Sequence, residues 1–414
     1  MMNHMHPRMA HTYAGVDSHK DTHTIVFINC FQEKLGEITI GSAPSEFSTF
    51  IKRAKKFLQP NTTFAFGFED VSAYGRAFVK YLVEKGYLVK HTNASKVAGE
   101  RAGFNKTDSY DAECAARVLI NQFDQLPDAN PQDKYWVLSN LVTHRDSITK
   151  INIMVKNSLH AILAENYPHY KKFFCLITTD SALAFYETYP SPYLLENTPL
   201  EELALFLYQA SKGRLSYPKA ELILNTVKRD DVQKSKYQET RDFKVRLLVS
   251  QVRNNLNLLK AIDDEIEKIL EHFEYPLTTM PAINSLTCAK LISEIGDINR
   301  FKNAAALAKY AGVAPFTYSS GMTAVQMANE RGNRKLNQIL YRIALSLVMK
   351  RGYDSPPLSP ILYEYFQKKI SEGKLRNQAL KCVQRRLVNI IYGMMKYKRP
   401  YTEPEAKQPL KESA

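Results

Sequence analysis

No run of apolar residues in this 414-residue chain approaches the ~18–20 that a membrane-spanning helix needs. The opening MMNHMHPRMAHTY has no apolar stretch of the kind a secretory signal carries, so no export signal is expected there. Cysteine is scarce. Cys30, Cys114, Cys175, Cys288 and Cys382 are odd in number and far apart, with no C-x-x-C pair and no zinc spacing. They are expected to be reduced thiols in a cytoplasmic protein. With 44% hydrophobic, 24% charged and 11% aromatic residues, the composition excludes a collagen-like or wholly disordered chain. At roughly 100–200 residues per domain, the length implies two to four domains.

Acidic residues are outnumbered, and the imbalance is local. The net charge is +14, and residues 331–400 hold 16 basic against 3 acidic residues. Residues 1–330 carry only +2. A surplus gathered into 70 residues points to a polyanion partner, nucleic acid above all; the plainer reading is a solvated basic surface.

The first ~130 residues alternate between strand and helix patterns. Tyr13–Asp17, Thr24–Asn29 and Lys34–Ile40 read as three sequential antiparallel strands. Pro44–Leu58 reads as a helix capped by Ser45, Thr62–Glu69 as a strand, Ser72–Lys85 as a helix stopped by Gly86, and Tyr87–His91 as a strand. A helical stretch, Asp108–Gln122, follows. That order predicts an RNase H-like α/β fold. Lys134–Asn166 is one proline-free helical stretch with Leu141, Ile148, Val155 and Ile162 seven apart. Between Tyr237 and Phe273 two offset series recur. One is Val245, Val252, Leu259, Ile266 and Phe273; the other is Leu248, Asn255, Ile262 and Ile269. This is a coiled-coil seam with one polar interruption. It is compatible with self-association or with a hairpin against the first long helix. Residues 167–236 carry short amphipathic pieces without a clear order. Beyond Pro276 and Pro281 the chain reads as mainly helical, with a hairpin in Ala314–Met327 and a helix over Asn337–Met349. A basic helix pair spans Tyr363–Lys396, and a polar tail follows Pro400. The expected division is 1–130 (1–11 flexible), 131–275, 276–400 and 401–414.

Asp17 ends one strand in GVDSHKDTH and Glu69 another in FAFGFED, while Asp108 and Asp111 share a helix face in KTDSYDAE. Four converging carboxylates would repel unless cations lay between them, and oxygen donors suit Mg²⁺ or Mn²⁺. Taken singly, each reads more plainly as a solvated surface acid. His19, Asp21 and His23 offer further ligands, or else lie in the turn after the first strand. Lys20 and Lys106 could touch phosphate. Ser319 and Ser320 stand in a small-residue turn with no His–Asp pair nearby in sequence to activate them. Arg331, Asn333, Arg334 and Lys335 form a basic, glycine-containing loop ahead of a helix, suited to phosphate contact.

GVDSHKDTH, the Glu69 strand, KTDSYDAECAARVL and EIGDINRFKNAAALAKYAGVAPFTYSSG…RGNRKLNQIL together resemble the insertion-sequence-110/1111 family of DEDD transposases, relatives of the pilin-gene invertase. The resemblance covers about residues 12–120 and 276–350. It implies a RuvC-like catalytic domain, a long helical coiled coil and a mainly helical C-terminal transposase domain. Asp17, Glu69, Asp108 and Asp111 match the family's metal ligands, and its serine nucleophile falls on Ser320 or Ser319. The implied chemistry is attack of that serine on a DNA phosphate beside Mg²⁺, a covalent serine–DNA intermediate and strand exchange. Some members are guided by a structured non-coding bridge RNA, and the site is implied to assemble between subunits of a homodimer or homotetramer. The sequence departs from the family where Asp-Val-Ser follows Glu69 and where Ala282 and Asn284 replace hairpin glycines. Two other readings remain: a RuvC-like structure-specific nuclease or DNA-only invertase, and a non-catalytic nucleic-acid-binding protein.

Overall fold

In a computed structural model the chain divides into two compact units, 1–136 and 137–414. The structure describes residues 7–71, 73–92, 94–101, 107–129, 133–320, 323–327, 332–350, 352 and 355–403.

The first unit is built on a five-stranded sheet. Its strands are β1 (His11–Ser18), β2 (Thr22–Ile28), β3 (Lys34–Gly41), β4 (Thr63–Phe68) and β5 (Leu88–His91), in the order β3-β2-β1-β4-β5. β2 pairs antiparallel with β1 and β3, while β4 runs parallel to both β1 and β5. The three opening strands are therefore antiparallel, as their spacing predicts. Tyr13–Val16 is buried without alternation because both faces of the sheet are covered. Ile38 and Ile40 of edge strand β3 alternate with exposed residues. One face packs on α1 (Pro44–Ala54) and α2 (Arg76–Glu84) through Phe27, Phe47, Phe50, Phe66 and Phe78. The other packs on α4 (Asp108–Asn121) through Tyr13, Ala65, Ala112, Ala116 and Leu119. A short helix absent from the sequence reading, α3 (Ala94–Glu100), sends Val97 into this second core. The expected cap at Ser45 is corrected: α1 starts at Pro44 after Ala43, with no side-chain cap. Proline has no N–H to satisfy at a first helical position, and its fixed φ suits the turn.

Gly15 sets the spacing between β1 and α4. A Cβ there would lie 2.0 Å from the Ala112 carbonyl oxygen and 2.3 Å from the Ala116 nitrogen. Both obstacles are backbone, so no rotamer can yield. Gly15→Ala is expected to destabilise the first unit by about 3 kcal/mol or more, read as a lowered denaturation midpoint.

Among the described residues the second unit is helical apart from one small sheet. Helices α5 (Asp133–Asn166) and α9 (Gln238–Leu270) are each about 50 Å long at 1.5 Å per residue. Arg145 pairs with Asp263 at one end and Arg241 with Glu165 at the other, so the two run antiparallel. Among the described residues the hairpin is thus the packing that the long helices make. On the α9 seam Val245, Leu248, Val252, Ile266 and Phe273 are buried, whereas Asn255, Leu259, Ile262 and Ile269 are half-buried. The unordered stretch 167–236 holds α6 (Asp180–Thr188), α7 (Leu200–Ala210) and α8 (Tyr217–Asp230). They close a core of Tyr167, Phe173, Phe185 and Tyr186 against Val245, Val249 and Val252 of α9.

The C-terminal part contains α10 (Ser285–Ile295), α11 (Ala304–Tyr310), the hairpin β6 (Phe316–Ser320) and β7 (Thr323–Met327), α12 (Arg334–Val348), α13 (Pro360–Ser371) and α14 (Arg376–Tyr397). Asn284 caps α10, its Oδ1 accepting from the Thr287 N–H at 2.9 Å. Ala282, where a glycine is expected, holds a left-handed φ of 68°, at a cost of roughly 1–2 kcal/mol. All five cysteines are free. No helix among the described residues is long and apolar enough to cross a membrane.

Candidate functional site

Asp17 lies one residue past Val16, the last residue of β1 paired with β4. Glu69 lies one residue past Phe68, the partner of Val16, so the two acidic positions adjoin at the same ends of neighbouring parallel strands. Asp108 opens α4 behind the N-cap Thr107, whose side chain accepts from the Tyr110 N–H. Carboxylates at a helix start are favoured by the unpaired N–H groups there. Asp111 follows one turn later, buried at 5% exposure.

These elements bring Asp17, His19 and Asp108 together, with one ligand atom from each within 4.8 Å of the others. His19 Nε2 lies 3.1 Å from Asp17 Oδ2 and 3.3 Å from Asp108 Oδ1. Burial pushes the Asp17 carboxyl above its ordinary range, His19 opposes this, and Asp111 and Asp108 add to it. The site thus carries an excess of negative charge that one imidazole only partly offsets. The Asp111 Oδ1 is buried without a hydrogen bond; its close neighbour is Arg101 Nε at 2.7 Å, an ion-pair contact without hydrogen-bond alignment. A buried carboxylate oxygen met by one misaligned arginine contact, beside two more carboxylates and an imidazole, is a donor set that fits a hard divalent cation.

Asp17 and Asp108 therefore share one group bridged by His19, and the charge of Asp111 acts on Asp17. The Glu69 carboxylate is not one of the 4.8 Å group; its backbone carbonyl accepts from His91 Nε2 at 3.1 Å. His19, a candidate ligand or turn residue in the sequence, lies in the turn after β1 and stands inside the acidic group. Its signal in the sequence is its place two residues beyond a strand-ending aspartate. Asp21 stays exposed, and Asp70 caps the following loop by accepting from the Ala73 and Tyr74 N–H groups.

His23 is corrected from a turn residue to a strand one. It lies in β2, fully buried, stacked on Phe78 with ring centroids 5.5 Å apart. Neither ring nitrogen has a hydrogen-bond partner. Burial, then the nearby His19, push its pKa below the ordinary 6.5, against the pull of Asp70. The unfolded chain takes up this proton more readily, so stability is complete above about pH 6.5 and falls as the pH drops below it. His23→Phe is expected to remove part of the loss in melting temperature between pH 7 and pH 5, measured against wild type.

Ser319 and Ser320 end β6, paired in register with Ala324 and Thr323. Ser320 is thus the last residue of β6 and pairs with Thr323, the first of β7. Gly321, Lys106 and Arg331 lie outside the described residues. The expected loop at 331–335 is partly corrected: Arg334 and Lys335 form the first turn of α12. Asn333 is its N-cap, and its amide donates to Glu294 Oε2 at 2.8 Å and to the Tyr310 hydroxyl at 3.1 Å, so that side chain is engaged by the fold. Lys335 is exposed and lines, with Lys150, Lys290 and Arg342, a groove of about 550 Å³ between α5, α10 and α12. Lys20 is exposed in the turn after β1.

A mixed sheet with a carboxylate cluster near its strand ends, followed by a helical region, is consistent with a DEDD nuclease-like domain, and comparison with known proteins gives the class as a DNA transposase. Residues 14–168 match the family model of the insertion-sequence-110 DEDD transposase, and residues 274–357 match the model described as transposase IS116/IS110/IS902 family. The chain belongs to this transposase family. It is 25% identical to the insertion element IS116 44.8 kDa protein of Streptomyces clavuligerus, over 96% of this chain and 98% of that one. It is 31% identical to the IS110 43.6 kDa protein of Streptomyces coelicolor over 33% of each chain. It is 28% identical to the pilin gene-inverting protein of Moraxella bovis, over 32% of this chain and 39% of that one. The chain is accordingly a transposase or recombinase that binds DNA.

Proposed function

We propose that this transposase cuts and exchanges DNA strands through a serine nucleophile, Ser320 or Ser319, with Mg²⁺ or Mn²⁺ held by Asp17, Asp108, Asp111 and Glu69. A structured non-coding RNA selects the DNA. The observation that carries the reading is the Asp17–His19–Asp108 group beside the buried Asp111 carboxylate, whose Oδ1 has an ion-pair contact but no aligned hydrogen bond. The strand order β3-β2-β1-β4-β5 supports reading residues 1–130 as an RNase H-like, RuvC-like catalytic domain. Residues 276–400 carry the serine and the basic helices. A divalent cation at the carboxylates supplies charge stabilisation for the phosphoryl group and lowers the pKa of an attacking hydroxyl.

The chain's own groups do the rest. Asp17, Asp108 and Asp111 hold fixed negative charge, and His19 bridges two of them. The serine Oγ forms a bond to phosphorus as the P–O bond to one sugar breaks; the serine proton passes to solvent, and the leaving sugar oxygen takes up a proton from solvent to become a hydroxyl. One phosphoester replaces another, so the step can be reversed onto a new strand without a nucleotide cofactor. Arg334, Lys335 and Lys20 supply exposed charge for the phosphate backbone. Half-buried Leu259, Ile262 and Ile269 on α9, beside exposed Ile151, Met154 and Leu258, favour a homodimer or homotetramer.

The RNA is tested by sequencing what co-purifies with the full chain from cells carrying its native flanking DNA. One dominant structured RNA encoded beside the gene is expected. Heterogeneous or absent RNA would favour the DNA-only invertase.

A further inference from the structure

Asp111 is the most deeply buried acid of the site, and its neighbour is a cation supplied by the chain itself. Arg101 follows α3, ten residues before Asp111, and its Nε lies 2.7 Å from Asp111 Oδ1. Three features separate this contact from an ordinary structural ion pair. Both atoms are buried, and neither has a hydrogen-bond partner, so charge holds them without the directed N–H···O bonds that stabilise a guanidinium–carboxylate fork. Asp111 is enclosed while the Arg101 side chain keeps 27% of its surface exposed, so the arginine has a route to solvent and the aspartate has none. The contact also adjoins the Asp17–His19–Asp108 group, whose charge reaches Asp111. A buried carboxylate cannot stay unpaired at neutral pH without a large cost. A poorly aligned cation meets that need and is easily exchanged for a better one.

We propose that Arg101 is a displaceable counter-ion: its guanidinium occupies the cation's place at Asp111 and leaves that carboxylate when a divalent metal binds. This rests on the metal reading of the carboxylates given above. Metal loading and withdrawal of Arg101 from α4 are then one equilibrium. The apparent metal affinity is the intrinsic one scaled by the fraction of molecules in which Arg101 is already displaced. Removing the guanidinium raises that fraction towards one. The arginine thus weakens metal binding while stabilising the metal-free fold.

The test is Mn²⁺ binding to the full chain without nucleic acid, followed by the electron paramagnetic resonance of free Mn²⁺, for wild type, Arg101→Gln, Arg101→Lys and Asp17→Asn. Arg101→Gln is expected to bind Mn²⁺ about ten-fold more tightly, as for a competitor in place nine times in ten, and to melt at a lower temperature without metal. Arg101→Lys, which keeps the charge, is expected near wild type, and it serves if the glutamine variant does not fold. Asp17→Asn is expected to lose binding. Equal or weaker Mn²⁺ binding in Arg101→Gln, with Asp17→Asn still defective, would overturn the counter-ion and leave the metal site standing. An Arg101→Lys protein that binds at least ten-fold more tightly than wild type would also overturn it. Binding absent from both wild type and Arg101→Gln, or unaffected by Asp17→Asn, would overturn the metal reading itself.

Discussion

Asp17→Asn is expected to reduce strand cleavage and exchange by at least about 10³-fold while leaving DNA affinity within about two-fold. Asparagine keeps the size of the side chain and a polar contact for His19 but removes the charge. Asp17 is the most enclosed member of the 4.8 Å group, at 16% side-chain exposure, and its carboxyl is already strained by burial and by Asp108 and Asp111. It is therefore the group whose charge solvent can least replace. DNA affinity is expected to survive because phosphate contact falls to exposed basic side chains such as Arg334 and Lys335. Single-turnover cleavage of labelled DNA, set beside filter binding of the same DNA, separates the two effects. Activity within ten-fold of wild type would remove the carboxylate cluster from catalysis. Lost binding would instead place Asp17 at the DNA surface.

Ser320→Ala is expected to abolish the covalent protein–DNA adduct and, with it, strand exchange, again by at least about 10³-fold. Ser319→Ala is expected to keep adduct formation within about ten-fold, because Ser320 is the residue at the turn end of β6. The adduct is read by denaturing electrophoresis after reaction with a labelled target, and its attachment residue by mass spectrometry. Loss in Ser319→Ala alone would move the nucleophile by one residue. Cleavage that persists in the doubled variant without any adduct would mean that water attacks, and the chain would then be a metal-dependent nuclease.

Much of the first unit was legible because its signals are local. Short β-branched and aromatic runs, two of them ending in acids, mark β1 and β4, and a threonine cap followed by paired aspartates marks the start of α4. What escaped depends on partners distant in sequence. Helix α3 is seven residues long and contains Gly99, too short and too weak a former to announce itself. Helices α6–α8 owe their order to aromatic packing against α9, which no single stretch encodes. The 331–335 segment reads as a loop because glycine and charge dominate it, yet Asn333 caps a helix whose first turn tolerates Arg334 and Lys335. The seven-residue spacing on α9 marks an apolar seam but does not name its partner. Two ion pairs show α5 lying antiparallel to it. At the site, strand ends and helix spacing offered four carboxylates, Asp17, Glu69, Asp108 and Asp111, of which the structure gathers Asp17 and Asp108 into one close group and leaves the Glu69 carboxylate outside it. His19 could be named in the sequence as a candidate ligand or turn residue, but its place between Asp17 and Asp108 depends on how the turn after β1 folds back, and Arg101 is visible only as a contact.

The notch at Gly15 bears on how the enzyme fails when heated. Local loosening near an active site commonly inactivates an enzyme well below the temperature at which its fold is lost. Here the strand carrying Asp17 and the helix carrying Asp108 and Asp111 touch backbone to backbone, at Gly15 against Ala112 and Ala116. That close contact opposes sliding of α4 along the sheet. The relative placement of Asp17 and of the helix that carries Asp108 and Asp111 is expected to last as long as this strand–helix contact does. Thermal inactivation that begins in this unit should coincide with its cooperative unfolding, leaving no temperature window in which the sheet is folded and its acids are dispersed.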